Sequence, residues 1–135
     1  MFSSRHSKPQ NRIDSLVGAG TKIEGNVTFT GGLRVDGEII GNVIADPSKP
    51  STLVLSEHAR VHGEIKVTHL VVNGAITGPV DATEYLELQS KAKVTGDVHY
   101  KSLEIQLGAI VEGRLIHLAE VTDKVVAFKL GAAES

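Results

Sequence analysis

The chain has no cysteine and no tryptophan, one methionine, two tyrosines and three phenylalanines among its 135 residues. Without cysteine there is neither a disulfide framework nor a thiolate metal site, which fits a reducing compartment. Past the first residues the only rings of phenylalanine and tyrosine are Phe29, Tyr85, Tyr100 and Phe128. That is too few for an aromatic ladder that stacks bases or sugars. Charge of one sign is also missing, with 14 basic against 16 acidic side chains. Nucleic-acid binding, which needs a basic excess, is therefore not expected. No apolar run approaches the roughly 20 residues that span a bilayer. The opening residues lack the apolar core of a signal peptide, so secretion by that route is not expected either.

What the chain does have is glycine at regular intervals. An aliphatic residue, any residue, glycine, any residue and an aliphatic residue recur six times. The copies are Ile23–Val27, Ile39–Val43, Val61–Ile65, Ile76–Val80, Val94–Val98 and Val111–Leu115. Their central glycines (Gly25, Gly41, Gly63, Gly78, Gly96 and Gly113) lie 16, 22, 15, 18 and 17 residues apart. A unit this short cannot bury a core alone, so its copies must stack into a solenoid.

Aligning the copies on the glycine exposes an inside and an outside. Eight residues upstream stand Val17, Leu33, Leu55, Leu70, Leu88 and Ile105, all aliphatic; four upstream stand Thr21, Gly37, Ala59, Gly74, Ala92 and Ala109, all small. The positions flanking the glycine are mostly polar, with Ile40 and Pro79 as exceptions. A period of two means strand, with even positions inward. Small inward residues mark the bends. A unit of about 17 residues divides into three short strands that pair in parallel with the next coil, and six coils at about 4.8 Å make a rod roughly 30 Å long. The longest interval holds the turn-rich Asp46-Pro47-Ser48-Lys49-Pro50-Ser51, a loop between coils.

The expected organisation is a leader over 1–14, the solenoid over 15–117 and a tail over 118–135. The leader is polar, and the tail's Val121, Val125, Val126, Phe128 and Leu130 either fold over the last coil or stay disordered. Uncovered ends leave unpaired strand edges and a cross-section of aliphatics, the standard template for joining edge to edge. The expected contact residues are Val17, Ile23, Val27 and Phe29 at one end and Ile105, Val111 and Leu115 at the other. The leader also pairs an apolar tip, Met1 and Phe2, with the cations Arg5, Lys8 and Arg12. Such a segment suits anionic lipid, and many copies on one filament would add avidity; a plain leader is the alternative. Residue 2 is Phe, so there is no myristoylation signal.

The motif series, the Met-Phe start, and the paired forms Val35-Asp36-Gly37-Glu38-Ile39-Ile40-Gly41 and Val72-Asn73-Gly74-Ala75-Ile76-Thr77-Gly78 resemble the bactofilin family over about residues 15 to 117. The resemblance implies an all-β fold, a right-handed parallel β-helix whose subunits assemble into filaments without a nucleotide. It implies a cytoplasmic, non-enzymatic protein without cofactor at the inner face of the cytoplasmic membrane. There such filaments position cell-wall enzymes or polar factors and influence cell shape. Met1-Phe2-Ser3 with the basic residues behind it is similar to the family's membrane-targeting segment. The tails are short, so partners recruited elsewhere through long tails are not implied.

Catalytic and metal readings find little support. His58, His62, His69, His99 and His117 occupy different columns of the repeat, and ligands must share or neighbour a column to converge. Gly18-Ala19-Gly20 lacks the strand-to-helix setting of a phosphate site. Surface acids such as Glu24, Glu64, Asp97 and Glu112 have no long loops to wall off a cleft. The rival from another class is a trimeric acyltransferase built as a left-handed β-helix of hexapeptide repeats, suggested by inward positions six apart. The uneven intervals, and a mixed column four residues past the glycine (Phe29, Ala45, Val67, Ala82, Tyr100 and His117), count against it.

Overall fold

A computed structural model describes residues 12–119. It contains sixteen strands and, among the described residues, no helix. They sort into six coils of three. Coil 1 holds β1 (Ser15–Val17), β2 (Lys22–Glu24) and β3 (Val27–Phe29), and coil 2 holds β4 (Gly31–Val35), β5 (Glu38–Ile40) and β6 (Val43–Ala45). Coil 3 uses β7 (Ser51–Leu55), β8 (Arg60–His62) and the first half of β9 (Ile65–Val72). Coil 4 takes the rest of β9, then β10 (Ala75–Thr77) and the start of β11 (Val80–Leu88). Coil 5 takes the rest of β11, β12 (Lys93–Thr95) and β13 (Val98–Tyr100). Coil 6 closes with β14 (Leu103–Ile105), β15 (Ile110–Glu112) and β16 (Leu115–His117).

All strand pairs are parallel and join each coil to the next. The result is a parallel β-solenoid with three faces. The first strand of every coil forms face 1 (β1 to β14), the second forms face 2 (β2 to β15) and the third forms face 3 (β3 to β16). Three columns of aliphatics converge inside: Val35, Leu55, Val72 and Leu88 from face 1, Ile39, Val61, Ile76 and Val94 from face 2, and Val43, Ile65, Val80 and Val98 from face 3. None of these is more than 1% exposed.

The glycine alignment places the inward residues correctly and two of the stacking partners wrongly. The column of Val17, Leu55, Leu88 and Ile105 is continued by Val35 and Val72, whereas Leu33 and Leu70 belong with Leu53, Leu86 and Leu103. The reason is corner length. Between faces 1 and 2, coils 1, 3, 5 and 6 turn through four residues (Gly18–Thr21, Ser56–Ala59, Gln89–Ala92 and Gln106–Ala109). Coils 2 and 4 turn through two, Asp36-Gly37 and Asn73-Gly74. In each long corner the fourth residue's N–H donates to the first residue's carbonyl, as from Ala59 to Ser56 (3.0 Å). A two-residue difference preserves the alternation of faces, so burial survives the slip. The solenoid therefore has more than three inward columns. Leu53, Leu70 and Leu86 form another on face 1, and the mixed column of Ala45, Val67 and Ala82 is a buried one on face 3.

Close stacking explains the repeated glycine. Gly63 has φ +154°, and a Cβ there would collide with the carbonyl of Gly41 one coil below; Gly41, Gly78, Gly96 and Gly113 stand in the same relation to their predecessors. A side chain at any of them would wedge the coils apart. Beside this column, side chains tie coil to coil: the Asn42 N–H donates to Asn26 Oδ1 (2.9 Å) and the Glu64 N–H donates to Asn42 Oδ1 (2.9 Å).

Candidate self-association surface

The two tips carry the functional expectations, and they differ. At the first tip Val17 is buried, 8% exposed, and Ile23, Val27 and Phe29 are half-buried against the core. The inward position beside Val17 is Ser15, where the coils above have Leu33, Leu53, Leu70 and Leu86. Residues 12–14 extend this end along coil 2: the Asp14 N–H donates to the Gly32 carbonyl (2.9 Å), and the Gly32 N–H donates to Asp14 Oδ2 (3.0 Å). That backbone hydrogen bond, with Arg12 beside it, holds the Asp14 carboxyl below the usual aspartate range.

At the last tip the same inward columns lie open. Ile105 is 47% exposed although Leu88 beneath it is at 0%, and Leu115 is 42% exposed although Val98 beneath it is at 0%. Val111 is half-buried. Two further exposed residues sit on the rim of this tip and escaped the motif alignment: Leu107, 95% exposed, and Ile110, 49% exposed. Leu107 occupies the corner position held by Ala19, Glu57 and Ser90 in the other four-residue turns. Comparing corners by length exposes it as an apolar residue among small and polar ones.

Coil 6 is fastened to coil 5 by polar contacts on the outside. Arg114 donates from its backbone to Asp97 Oδ1 (3.1 Å) and from Nη2 to Asp97 Oδ2 (2.8 Å). The Arg114 side chain, then its backbone N–H, keeps Asp97 below the ordinary aspartate value. Across face 1 the Tyr85 hydroxyl sits between two carboxylates, Glu87 at 3.0 Å and Glu104 of coil 6 at 3.2 Å, and donates its one proton to one of them at a time. Burial first, and then Glu87, raise the Tyr85 hydroxyl well above its ordinary pKa.

Groups that resemble chemistry are accounted for by structure. Thr68 Oγ1 lies 2.9 Å from His69 Nδ1, the spacing of a nucleophile and its base, but it also donates to the Ser51 carbonyl at 2.7 Å. A hydroxyl has one proton, so the imidazole donates in this contact and is not placed to accept that proton. His58 lies by Glu57 (3.4 Å) and His62 by Glu38 (3.2 Å), so the two histidines of coil 3 face different partners. No cluster of three or more His, Cys, Asp or Glu suited to a metal occurs among the described residues. A shallow groove follows the recessed corner of coil 2 between the long corners of coils 1 and 3, where Lys22 and Arg60 face Asp36, Glu38 and Glu57. Its walls carry both signs of charge. No helix among the described residues is long and apolar enough to cross a membrane.

Of the basic leader only Arg12 is described; its Nε donates to Asp14 Oδ1 at 3.0 Å. Met1, Phe2, Arg5 and Lys8 lie outside the described residues, as do Val121 to Leu130 of the tail.

The fold defines a class, the short parallel β-solenoids, here with aliphatic residues of the last coil exposed at one tip. The family model for bactofilins, described as polymer-forming cytoskeletal, matches residues 15–116. The chain is a member of the bactofilin family, a structural, cytoskeletal family. It is similar to bactofilin BacP of Myxococcus xanthus, 28% identical over 116 residues that cover 85% of this chain and 47% of that protein. It is also similar to bactofilin BacO of the same organism, 22% identical over 117 residues that cover 84% of this chain and 90% of that one. The chain thus spans about half the length of BacP. No solved structure matches it.

Proposed function

We propose that this protein polymerises end to end, without nucleotide or cofactor, into filaments that lie on the inner face of the cytoplasmic membrane. There they serve as a scaffold positioning cell-wall or polar factors, and so influence cell shape. The joint continues the core across subunits, with Ile105, Val111 and Leu115 of one tip and Val17, Ile23, Val27 and Phe29 of the other as contact residues. Leu107 and Ile110 add a rim. The observation that carries this reading is the exposure of Ile105 and Leu115 in columns that are sealed through the middle coils. Joining buries them and pairs the bare strand edges.

Leu115→Arg tests the joint. A charge trapped between stacked coils costs several kcal/mol, so the concentration needed for pelleting in plain buffer should rise about a hundredfold or more. The β-sheet circular dichroism should stay unchanged. Pelleting at the original concentration would remove Leu115 from the interface. For the membrane, deleting residues 1–11 spares the Arg12–Asp14 pair and should abolish co-sedimentation with anionic vesicles while filaments persist. Undiminished lipid binding by that truncation would refute the leader as anchor.

A further inference from the structure

The inward columns are built of side chains that stay uncharged near neutral pH, and the last tip breaks that rule. The column four residues past the motif glycine runs Ala45, Val67 and Ala82 through the middle coils, at 6%, 4% and 0% exposed. Toward the last tip it becomes Tyr100 and then His117. Tyr100 is half-buried and His117 is exposed; their ring centroids lie 5.6 Å apart with the planes tilted by 56°. His117 is thus the one inward residue of the six coils that changes charge between about pH 5 and 8. The other described histidines, His58, His62, His69 and His99, stand on a corner or on outward positions. Nothing around His117 is placed to hold its charge. On β13, the strand it pairs with, Tyr100 faces it, flanked by His99 and by Lys101, which reaches Glu84 at 3.8 Å. Arg114, at the start of its own strand, is held by Asp97 (2.8 Å), and Glu104 of β14 lies against the Tyr85 hydroxyl (3.2 Å). No acid among the described residues comes within ion-pair distance of His117.

We infer that His117 makes assembly depend on pH: the last tip is joined by another copy when the imidazole is neutral and released when it is protonated. This rests on the joining of tips proposed above and adds a control to it. Covering the last coil buries His117 together with Ile105 and Leu115, because all three lie in inward columns of the same terminal layer. A neutral imidazole enters such a layer as a small ring packed on Tyr100. An imidazolium would enter it as a charge without a partner, which burial strongly disfavours. The proton is therefore held by the free tip in water and excluded from the joint. Joining is then unimpeded while the imidazole is neutral and is opposed as pH falls and the free tip takes up its proton. The aliphatics supply the attraction, and His117 sets the pH at which it is strong enough.

Pelleting of the full-length chain in plain buffer, followed from about pH 7.5 down to about 5.5, reads this directly. With one proton excluded per joint, the concentration needed for pelleting should rise about tenfold across that range and fall back when the pH is restored. His117→Phe keeps a ring over Tyr100 and cannot charge, so it should pellet as readily at the low pH as at the high one. His117→Gln, a second neutral variant, should lose the dependence too. His99→Gln, changed on the outward side of the neighbouring strand, should keep the tenfold rise. Equal pelleting of the parent chain at both pH values, or the same rise in both His117 variants, overturns the control by His117. So does a loss of β-sheet circular dichroism at low pH that accounts for the lost pellet. In each case a raised pelleting concentration in Leu115→Arg leaves the joint itself standing. If Leu115→Arg also pellets at the original concentration, the joint falls with it.

Discussion

The first and last coils contain the same repeat and finish it differently. Coil 1 places Ser15 where its neighbours place leucine, draws residues 12–14 along coil 2, and leaves Val17 only 8% exposed. Coil 6 keeps leucine at that position (Leu103), exposes Ile105 and Leu115, and adds Leu107 on its rim. The unit is one; the boundary conditions are two. Hydrophobic gain scales with apolar area removed from water, so the last tip has more to gain from being covered. Gly25 at the first tip tells a complementary story. It keeps φ +139°, yet nothing among the described residues lies within 4 Å of the place its Cβ would take, while a Cβ at the other five motif glycines would strike the coil below. The first coil meets a close-packing requirement that no described coil imposes.

The largest effect should come from breaking that contrast at the glycines. In a Leu115→Arg background, chosen to keep assembly out of the folding measurement, Gly63→Ala should cost about 3 kcal/mol or more, because it combines backbone strain with a collision against Gly41. Gly25→Ala meets only the strain, on the order of 1–2 kcal/mol. Urea midpoints of the two variants would show the gap, and equal midpoints would dissolve it. Placed instead in the assembling chain, Gly25→Ala should raise the pelleting concentration further than its small folding cost explains, if a second copy stacks on that tip.

A smaller effect separates the rim from the sides. Leu107 and Leu16 are both exposed, at 95% and 60%. Leu16 points outward from the middle of β1, in line with Arg34, Val54 and Val71, and is not part of the cross-section. Leu107→Ser should raise the pelleting concentration up to about tenfold, the scale of part of a leucine's burial, with the urea midpoint unmoved. Leu16→Ser should leave it where it was. A reversed order would shift self-association from the tip to face 1.

The difference between the tips was only partly legible in the sequence. Period-two alternation and the glycine motif are strong signals because parallel stacking repeats the same steric demand at every coil, and they gave the fold and the inward residues. The relation of Leu33 to Leu53 and Leu70 was hidden, since Asp36-Gly37 and Ser56–Ala59 turn the same corner with different numbers of residues and parity masks the change. Leu107 was hidden for the same reason, having no equivalent until the corners are sorted. Exposure at the tips is set by what lies beyond each coil. Ser15 can be read from the chain, but the bond from Asp14 to Gly32 requires the coil to be closed first.

The smallest effect concerns how firmly coil 6 is held, and acid should loosen it. Asp97 joins coils 5 and 6 through Arg114, and that partner lowers its pKa from the ordinary 3.8. A carboxyl whose folded pKa lies below its unfolded value stabilises the native state above the unfolded pKa, and the contribution fades as pH falls through the folded one. The effect is therefore fully present at pH 7 and disappears only below about pH 4. Both groups face water, so the magnitude is modest. In the Leu115→Arg monomer the Arg114 amide resonance should titrate with a midpoint under 3.8. Asp97→Asn should remove that titration, while the amides of β10, in the sealed middle and without an acid of its own, stay flat in both proteins. Movement of β10 with the same midpoint would mean the terminal coil does not loosen by itself, and the two ends would then be coupled through the whole stack.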